Sequence, residues 1–287
     1  RDLVRSRGLG DVYKRQIIIS EKVVKLKERM TLTIHTCDKF SDIWDPTTYL
    51  LNKNWANRNV RTLFITDAPT NREFENIEVI STEAGLDMPK RMSRIIDDIE
   101  TEYLFYSLDD YFLIHKIDTQ RIEQLLDLMD YYSIDYLSFK NFHKVSRLLD
   151  EKEALYELDL YSGEDYVVNL YPGIWRTSFM KKSLEEEKNI WEYEASLTAY
   201  AQREKATCAV AKGGQFEILD GICKGLFFHK SYRYLTEHQL YQGDRGVHKY
   251  RTEFKLWFLT FLKRILPQSI SRFLKNFLKK FGFKFYS

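Results

Sequence analysis

The sequence predicts an α/β protein whose mixed, mainly parallel sheet is flanked by helices. Strand and helix patterns alternate from Met30 to Met129, and this order is typical of a parallel sheet with helices on both faces. The composition, with 44% hydrophobic and 30% charged residues, is that of a globular protein with a packed interior. A chain of 287 residues is long enough for one large α/β domain or two small ones.

Each predicted element rests on a short-range pattern. Strands are predicted where β-branched and aromatic residues cluster between turn residues, and helices where apolar residues recur every three or four positions. The predicted elements are, in order, a strand over 31–36, a helical stretch from Trp44 to Trp55, strands over 60–66 and 77–80, a helix over 88–100, a strand over 103–108, a helix from its cap at Asp118 to Met129, and a helix over 194–204. Because ligands bind outside the carboxyl ends of parallel strands, we expect a site in the loops after Thr36, Thr66 and Leu108.

We predict three segments along the chain. Residues 1–29 are expected to be a non-native or disordered leader, because the stretch from Gly8 to Gln16 resembles translated sequencing-adapter sequence and a strand pattern starts directly after Met30. Residues 30–240 are expected to form the main domain. Residues 241–287 are expected to form a basic amphipathic helical tail.

Cysteine content and hydropathy exclude several classes of protein. The three cysteines show no metal-ligand spacing and are odd in number, which argues against a disulfide framework and favours a reducing compartment. The sequence contains no apolar run of roughly 18 residues, the length that a membrane-spanning helix needs, and no secretory signal pattern. We therefore expect a cytoplasmic protein.

Basic residues are concentrated in the tail. From Lys249 to Ser287 there are ten Lys and Arg residues against one acidic residue, so the rest of the chain is acidic although the net charge is +2. This distribution predicts no nucleic-acid partner, because such proteins line their site with basic residues. A basic helix rich in Phe and Trp is typical of a membrane-surface anchor, here on the inner face of the cytoplasmic membrane. The alternatives are a helical pair packed on the domain and an interface with another chain.

Two adjacent carboxylates, Asp109 and Asp110, follow the apolar strand over 103–108 and precede another apolar group. Burying them is costly unless something positive joins them. A divalent cation does so, and carboxylate oxygens suit Mn²⁺ or Mg²⁺. The alternative is a loop whose acids cap the next helix or pair with Arg.

The stretch around this pair resembles a known family. Tyr106 to Leu113 (YSLDDYFL) is similar to the Asp-Asp-Tyr-Phe segment of bacterial glycosyltransferases of capsule and lipopolysaccharide clusters, and that segment resembles the Asp-x-Asp metal motif of the glycosyltransferase A-type fold. Further segments resemble the same family in the same order: 40–55 (FSDIWDPTTYLLNKNW), 60–67, 169–175 (NLYPGIW) and 189–194 (NIWEYE). Two positions depart from the pattern, Tyr171 where Gln is expected and Ile190 where Pro is expected.

The resemblance implies an enzyme that moves a sugar from a nucleotide-sugar donor to a glycan or lipid-linked acceptor in bacterial surface polysaccharide synthesis. Residues 30–240 would then be a glycosyltransferase A-type catalytic domain, with the metal on Asp109 and Asp110. A nucleotidyltransferase is an alternative, although no Gly-rich, Lys/Arg-containing triphosphate loop follows the first strand. A non-catalytic, membrane-peripheral scaffold is another.

The resemblance also implies which residues contact the donor. Thr36 and Asp38 would hold the nucleotide base, unless Asp38 caps the next helix instead. Asp67 would contact the nucleotide or shape the turn before Pro69, and Asp109 would contact the donor as well as the metal. His229 is a candidate metal or phosphate ligand with Lys230 beside it, although a lone His after apolar residues is commonly structural.

The acceptor side needs a general base that takes the proton of the attacked hydroxyl, and a carboxylate is the usual group. Glu192 and Glu194 are the candidates, because alternate residues of an extended segment face the same way. Alternatively, Glu194 caps or pairs on its helix and Glu192 is solvated. Trp175 and Trp191 are expected to stack on sugar rings, and Tyr171 to contact acceptor or donor.

Overall fold

A mixed sheet of nine strands forms the centre of the residues that the computed structural model describes, namely 25–140, 143–185, 187–212 and 216–265, with no side chains described beyond 258. In chain order the described strands are β1 (Met30–His35), β2 (Arg61–Thr66), β3 (Glu78–Ser81), β4 (Tyr103–Leu108), β5 (Tyr111–Leu113), β6 (Tyr136–Ser138), β7 (Val145–Asp150), β8 (Leu155–Leu158), β9 (Gly173–Arg176), β10 (Cys208–Ala211), β11 (Ile218–Asp220), β12 (Ile222–Cys223) and β13 (Leu226–Phe227). They include the nine of this sheet and four that form two small two-stranded sheets, β5 with β11 and β12 with β13.

The strand order in the large sheet is β3-β2-β1-β4-β9-β6-β10-β8-β7. The pairs from β3 to β4 are parallel, and β9 is antiparallel to both β4 and β6. Beyond β6, strand β10 is parallel to β6, and β8 is antiparallel to β10 and β7. All strands of this described sheet except β8 and β9 therefore run in one direction. The predicted mixed, mainly parallel α/β architecture is confirmed.

The helices predicted within the described residues are present, with shifts at their ends. The described helices are α1 (Leu26–Arg29), α2 (Trp44–Asn54), α3 (Met88–Ile95), α4 (Thr119–Tyr131), α5 (Thr177–Ser183), α6 (Ile190–Arg203), α7 (His229–Glu237) and α8 (Tyr250–Ile265), with 3₁₀ turns at Asp38–Ile43 and Ile96–Asp98. Three of them, α1, α5 and α7, were not predicted. Asp118 caps α4 as predicted, by accepting a hydrogen bond from the backbone N–H of Gln120. Helix α6 begins four residues before its predicted start, because Asn189 caps it there.

The sheet is buried on both faces, and β4 shows this most clearly. Its side chains alternate between two apolar clusters, with Leu104 and Tyr106 in one and Tyr103 and Phe105 in the other. Helices α3 and α6 cover the first face, and α2 and α4 cover the second. A continuous apolar strand is the pattern expected for such a position.

A third apolar cluster lies under the short strands beside β4. Strand β5 pairs with β11, and β12 pairs with β13 in a hairpin that leads into α7. Phe112, Phe227 and Leu235 are buried there together with Ile43 and Leu50. This cluster packs β5, the strand that follows the carboxylate pair, against β13 and α7.

The two ends of the chain are described only in part. Of the predicted leader, residues 1–24 lie outside the described residues, whereas Leu26 is buried and Arg29 forms ion pairs of 2.6 and 2.7 Å with Asp127 and Asp130. The leader and the three-segment division stay predictions. In the tail, α8 is the first predicted helix, and the second, beyond Pro267, lies outside the described residues. No helix in the described part of the chain has the length and apolar character needed to cross a membrane.

One buried histidine makes the stability of this fold depend on pH. His35 ends β1, stacks on Tyr106 at a ring-centroid distance of 4.9 Å, and has no hydrogen-bond partner for either ring nitrogen among the described residues. Burial, assisted by the charge of Arg91, lowers the pKa of His35 from 6.5 to about 3. The unfolded chain therefore binds a proton that the folded chain excludes, so the contribution of His35 to stability is greatest above pH 6.5 and is lost as the pH falls from 6.5 to 3.

We predict that His35→Phe reduces this pH dependence. Phe keeps the buried ring and takes up no proton, so the loss of unfolding free energy between pH 7 and pH 5 should shrink by about 2 kcal/mol. Urea denaturation of both proteins at the two pH values measures this difference. An unchanged pH dependence in the variant would show that His35 does not cause it.

Candidate functional site

The carboxyl ends of β1, β2 and β4 meet at one edge of the sheet. The backbone N–H of Thr36 donates to the carbonyl of Ile65 at 2.9 Å, and that of Asp109 donates to the carbonyl of His35 at 3.1 Å. The loops after the three strands are therefore neighbours, as the parallel sheet predicts. They bring together the predicted residues Thr36, Asp67 and Asp109.

Asp109 is buried and held by two threonines. The hydroxyl of Thr36 donates to its carboxylate, and the hydroxyl of Thr47 donates to its backbone carbonyl at 2.6 Å. The Thr36 hydroxyl in turn accepts a hydrogen bond from Trp44 Nε1 at 2.5 Å. Burial and the neighbouring charge of Asp110 raise the pKa of Asp109 well above its usual range, and the Thr36 hydrogen bond opposes this rise. The carboxylate is thus fixed in place, and its charge is compensated only in part, by the Thr36 hydrogen bond and the charge of Arg91.

Asp110 has a buried oxygen without a partner. Its Oδ1 atom is inaccessible to solvent and makes no hydrogen bond among the described residues. Burial raises the pKa of Asp110 to about 7, and the charge of Asp220 adds to the rise, against a backbone hydrogen bond from Ile222. An orphaned buried carboxylate oxygen is rare in folded proteins, so this atom is a candidate point of contact for a positively charged ligand.

Asp220 is a neighbour of the pair that sequence reasoning missed. It lies at the end of β11, opposite Tyr111 in the ladder with β5, and its exposed carboxylate raises the pKa of Asp110. The following residue, Gly221, donates its backbone N–H to the carbonyl of Asp110 at 2.7 Å. Local sequence carries no signal for this pairing, because the partners are more than a hundred residues apart.

The residues present fit a divalent metal ion in part. Asp109 and Asp110 offer adjacent hard oxygen ligands, one of them orphaned, and both carboxyl groups are destabilised in their charged form. In the described part of the chain, no group of three or more His, Cys, Asp or Glu side chains lies close enough to enclose an ion. Donor phosphate and water would have to complete the coordination, as is usual for Mg²⁺.

Two of the predicted donor-binding acids are linked to each other. The backbone N–H of Asp38 donates to the carboxylate of Asp67 at 2.8 Å, so the loops after β1 and β2 are joined. The alternative that Asp38 caps the next helix is wrong, because the cap position is Cys37 and no side chain bonds there. Asp38 and Asp67 remain candidates for nucleotide contacts at the edge of the sheet.

A buried arginine lies on the same side of the site and was not predicted. Arg91, in α3, is 7% exposed, and its Nε atom has no hydrogen-bond partner among the described residues. Its charge opposes the rise in the pKa of both Cys37 and Asp109, so it lies near the loop after β1. The sequence does contain one signal for it, because Arg91 lies on the apolar side of its helix, with Met88, Met92 and Ile95, where a cation is unexpected.

A second carboxylate site lies beside the antiparallel part of the sheet. Glu194, in α6, accepts a hydrogen bond from the backbone N–H of Leu170 at 2.9 Å. Burial raises its pKa, and the Leu170 hydrogen bond and the charge of Lys140 oppose the rise. Lys140 lies 4.2 Å from the centre of the Tyr171 ring, which packs edge-on against Tyr111 at 4.8 Å. Through these rings Glu194 and Tyr171 are connected to the residue that follows Asp110.

The predicted pairing of Glu192 with Glu194 is wrong. The segment is not extended, because helix α6 already begins at Ile190. Glu192 forms a capping box with Asn189, whose backbone N–H it accepts at 3.1 Å, and it is exposed. Residues two apart on a helix point about 200° apart, so Glu194 faces the interior and Glu192 faces solvent.

The two tryptophans predicted to stack on sugar differ in position. Trp175 is fully buried on β9, the strand between β4 and β6, and packs on Tyr136 at 4.4 Å and Phe179 at 6.0 Å. Its prediction as a sugar contact is wrong, because a central strand buries both faces. Trp191 is 73% exposed on the first turn of α6, and its role stays a prediction.

His229 and Lys230 begin α7. The Nδ1 atom of His229 lies 2.9 Å from a Glu253 oxygen, and its ring stacks on Tyr250 at 3.6 Å. One ring nitrogen is therefore already engaged by α8, whereas Lys230 is exposed. The preceding residue, Phe228, donates to the carbonyl of Gly221, so this turn adjoins the Asp110 loop. Metal or phosphate binding by His229 stays a prediction.

Comparison with known proteins gives structural similarities of low degree. No protein family and no curated protein matches the sequence. S. aureus TarS is similar at 16% identity and a TM-score of 0.47, over 66% of this chain and 36% of that protein. S. aureus TarS 1–349 in complex with UDP-GlcNAc is similar at 15% identity and a TM-score of 0.44, over 66% of this chain and 57% of that one. The bifunctional IspDF from Campylobacter jejuni is similar at 14% identity and a TM-score of 0.39, over 67% of this chain and 52% of that one. At TM-scores below 0.5 these similarities decide no activity.

We predict that Gly221→Ala disrupts the Asp110 loop. A Cβ atom at this position would lie 2.5 Å from both the Asp110 carbonyl and the Phe112 ring. Neither can move freely, so the unfolding free energy should fall by about 1–3 kcal/mol, as for other overpacked sites. Urea denaturation measures the change.

Gly85→Ala is the matched control, because its Cβ would meet nothing within 4 Å and only its positive φ of 82° opposes substitution. It should cost about 1 kcal/mol. Equal losses in the two variants would show that the close approach at Gly221 is not needed.

Proposed function

We propose that this chain is a metal-dependent glycosyltransferase that moves a sugar from a nucleotide-sugar donor to a hydroxyl group of a glycan or lipid-linked acceptor. The observation that carries the proposal is the carboxylate pair at the carboxyl edge of a mainly parallel sheet, with the buried Oδ1 atom of Asp110 unpartnered among the described residues. This is the position at which α/β sheets bind their ligands.

Asp109 and Asp110 would hold Mn²⁺ or Mg²⁺. When bound, the ion supplies positive charge to the diphosphate of the donor, and so makes the nucleoside diphosphate a better leaving group. The protein's own contribution is to keep Asp109 in one position, with Thr36 bonded to its carboxylate and Thr47 to its backbone carbonyl. Preorganised charge of this kind is worth more inside a dry site than in water.

The donor side of the site lies on the loops after β1 and β2. Thr36, Asp38 and Asp67 would contact the nucleotide, and the buried Arg91 supports an anionic ligand nearby, because its charge lacks a carboxylate partner within salt-bridge distance in the described residues. Lys230, exposed beside the Asp110 loop, and His229 are proposed as further phosphate or metal contacts.

Glu194 would act as the general base on the acceptor side of an inverting reaction. Its half-buried carboxyl group has a raised pKa, which favours accepting a proton from the attacking hydroxyl. Tyr171 and Tyr111 form an aromatic corner beside it, and the apolar face of a sugar ring can pack on such rings. The Nζ atom of Lys140 lies 4.2 Å from the centre of the Tyr171 ring and so places a cation among the acids of this corner.

The two alternatives have weaker support. A nucleotidyltransferase needs a Gly-rich phosphate loop, whereas β1 is followed by a glycine-free 3₁₀ turn over Asp38–Ile43. A non-catalytic scaffold leaves the orphaned Asp110 oxygen without an explanation. We further propose that the enzyme serves surface polysaccharide synthesis of the capsule or lipopolysaccharide type, in the cytoplasm at the inner face of the membrane.

The first test is the thermal stability of the protein with Mn²⁺ and a series of nucleoside diphosphates. Binding to the folded state stabilises it, by about 2.7 kcal/mol at a ligand concentration of 100 times Kd, or about 5–10 °C for a domain of this size. We expect a metal-dependent shift with one nucleotide, which Asp110→Asn abolishes.

Asp87→Asn is the control for this test, since Asp87 is exposed at the start of α3 and its side chain makes no capping bond. It should keep the full shift. If no nucleotide shifts the melting temperature of the folded wild type in the presence of Mn²⁺, the transferase proposal fails and the scaffold alternative takes its place.

We predict that Glu194→Gln and Glu192→Gln separate catalysis from helix capping. Glu194→Gln should lower kcat about 10²–10⁴-fold, the usual contribution of a general base, with little change in donor Kd. Glu192→Gln should leave kcat within about threefold and lower stability by at most about 1 kcal/mol. Turnover of the donor identified above is the measurement. Equal activities of the two variants would remove Glu194 from the mechanism.

A further inference from the structure

Helix α8 presents an aromatic face to solvent. Tyr250, Phe254, Trp257 and Phe258 are 75%, 64%, 59% and 43% exposed, respectively. Their spacing of four, seven and eight places them on one side of the helix. The rings also lie near one another, with Phe254 at 5.8 Å from Trp257 and 6.2 Å from Phe258. An apolar patch built from neighbouring large side chains marks an interaction surface.

The charges beside this face indicate the kind of partner. Arg251 and Lys255 are exposed and, at 100° per residue, lie next to Phe258 on the helix. The sequence that follows, 266–287, contains five Lys or Arg residues and no Asp or Glu. An aromatic face flanked by cations fits a surface that is apolar inside and anionic outside, which is the arrangement of an anionic lipid leaflet.

The start of α8 is fixed to the body of the protein. Glu253 accepts a hydrogen bond from the backbone N–H of His229 at 2.6 Å and lies 2.9 Å from its Nδ1, while the ring of Tyr250 stacks on the same histidine. His229 follows Phe228, which is bonded to Gly221 beside Asp110. A surface bound by α8 would therefore be held at a set orientation to the carboxylate site.

We propose that the aromatic face of α8 binds an anionic lipid surface. Trp257, Phe254 and Phe258 enter the boundary between headgroups and acyl chains, and the exposed basic residues Arg251 and Lys255 contact the anionic headgroups. The contact does not require glycosyl transfer, so it stands whether or not the proposed function is correct.

Sedimentation of the full chain with phosphatidylglycerol-containing vesicles tests this proposal. The wild type should bind them, bind pure phosphatidylcholine vesicles far more weakly, and lose affinity between about 0.1 M and about 1 M NaCl. The double variant Phe254→Ala/Trp257→Ala should bind roughly a hundredfold more weakly, since each large aromatic side chain moved out of water contributes about tenfold or more.

Tyr49→Ala/Tyr161→Ala is the matched control, because it removes two aromatic rings that are 49% and 73% exposed elsewhere on the protein. It should bind the vesicles as the wild type does. Melting temperatures of both variants should stay close to that of the wild type, which shows that they are folded.

Either of two results of the vesicle experiment would overturn the proposal: failure of the wild type to sediment with anionic vesicles, or equally tight binding by the wild type and the α8 double variant. A third such result would come from light scattering without lipid. If the wild type is a dimer and the α8 double variant a monomer, the face belongs to a second copy of the chain.

Discussion

Two carboxylates, Asp109 and Asp110, directly follow strand β4, which is buried on both faces. Much of the surrounding structure compensates for their charge. A carboxylate taken out of water is costly unless hydrogen bonds or a cation replace its hydration. Thr36 supplies a hydrogen bond to the Asp109 carboxylate, whereas the Asp110 carboxylate is compensated only in part, by the backbone N–H groups of Asp110 and Ile222 and by the charge of Arg245. The negative charge of the two carboxylates that remains uncompensated is the physical reason to expect a cation, and with it an anionic substrate, at this edge of the sheet.

The reversal of strand direction at β9 divides the site into two sides. Strands β1, β2 and β4 are parallel, so their loops gather at one edge and form the donor side. Strand β9 runs the other way, so the chain before it, with Leu170 and Tyr171, reaches the same edge from the opposite half. Glu194 and Lys140 are brought to that half by α6 and by the end of β6. The Tyr111–Tyr171 contact is where the two sides meet.

The short strands after β10 connect the carboxylate site to the tail. Gly221 can approach the Asp110 carbonyl only because it has no side chain, and its own carbonyl receives the N–H of Phe228. The next residue, His229, is bonded to Glu253 of α8. These successive hydrogen bonds therefore fix the orientation of helix α8 relative to Asp110, one of the proposed metal ligands.

The sequence by itself determined the class of the fold, the strand that ends just before Asp109 and the helix cap at Asp118, because these follow from apolar periodicity and local hydrogen bonding. It also placed Thr36, Asp67 and Asp109 together, since parallel strands end at one edge. Only the tertiary structure decided the rest. Asp220, Arg91 and Lys140 reach the site through pairings between distant segments, and Trp175 is buried because β9 inserts between two other strands. The separation of Glu192 from Glu194, by contrast, follows from the local capping box of Asn189 and Glu192, which the sequence does carry. The other outcomes depend on long-range packing, which the local pattern of residues does not encode.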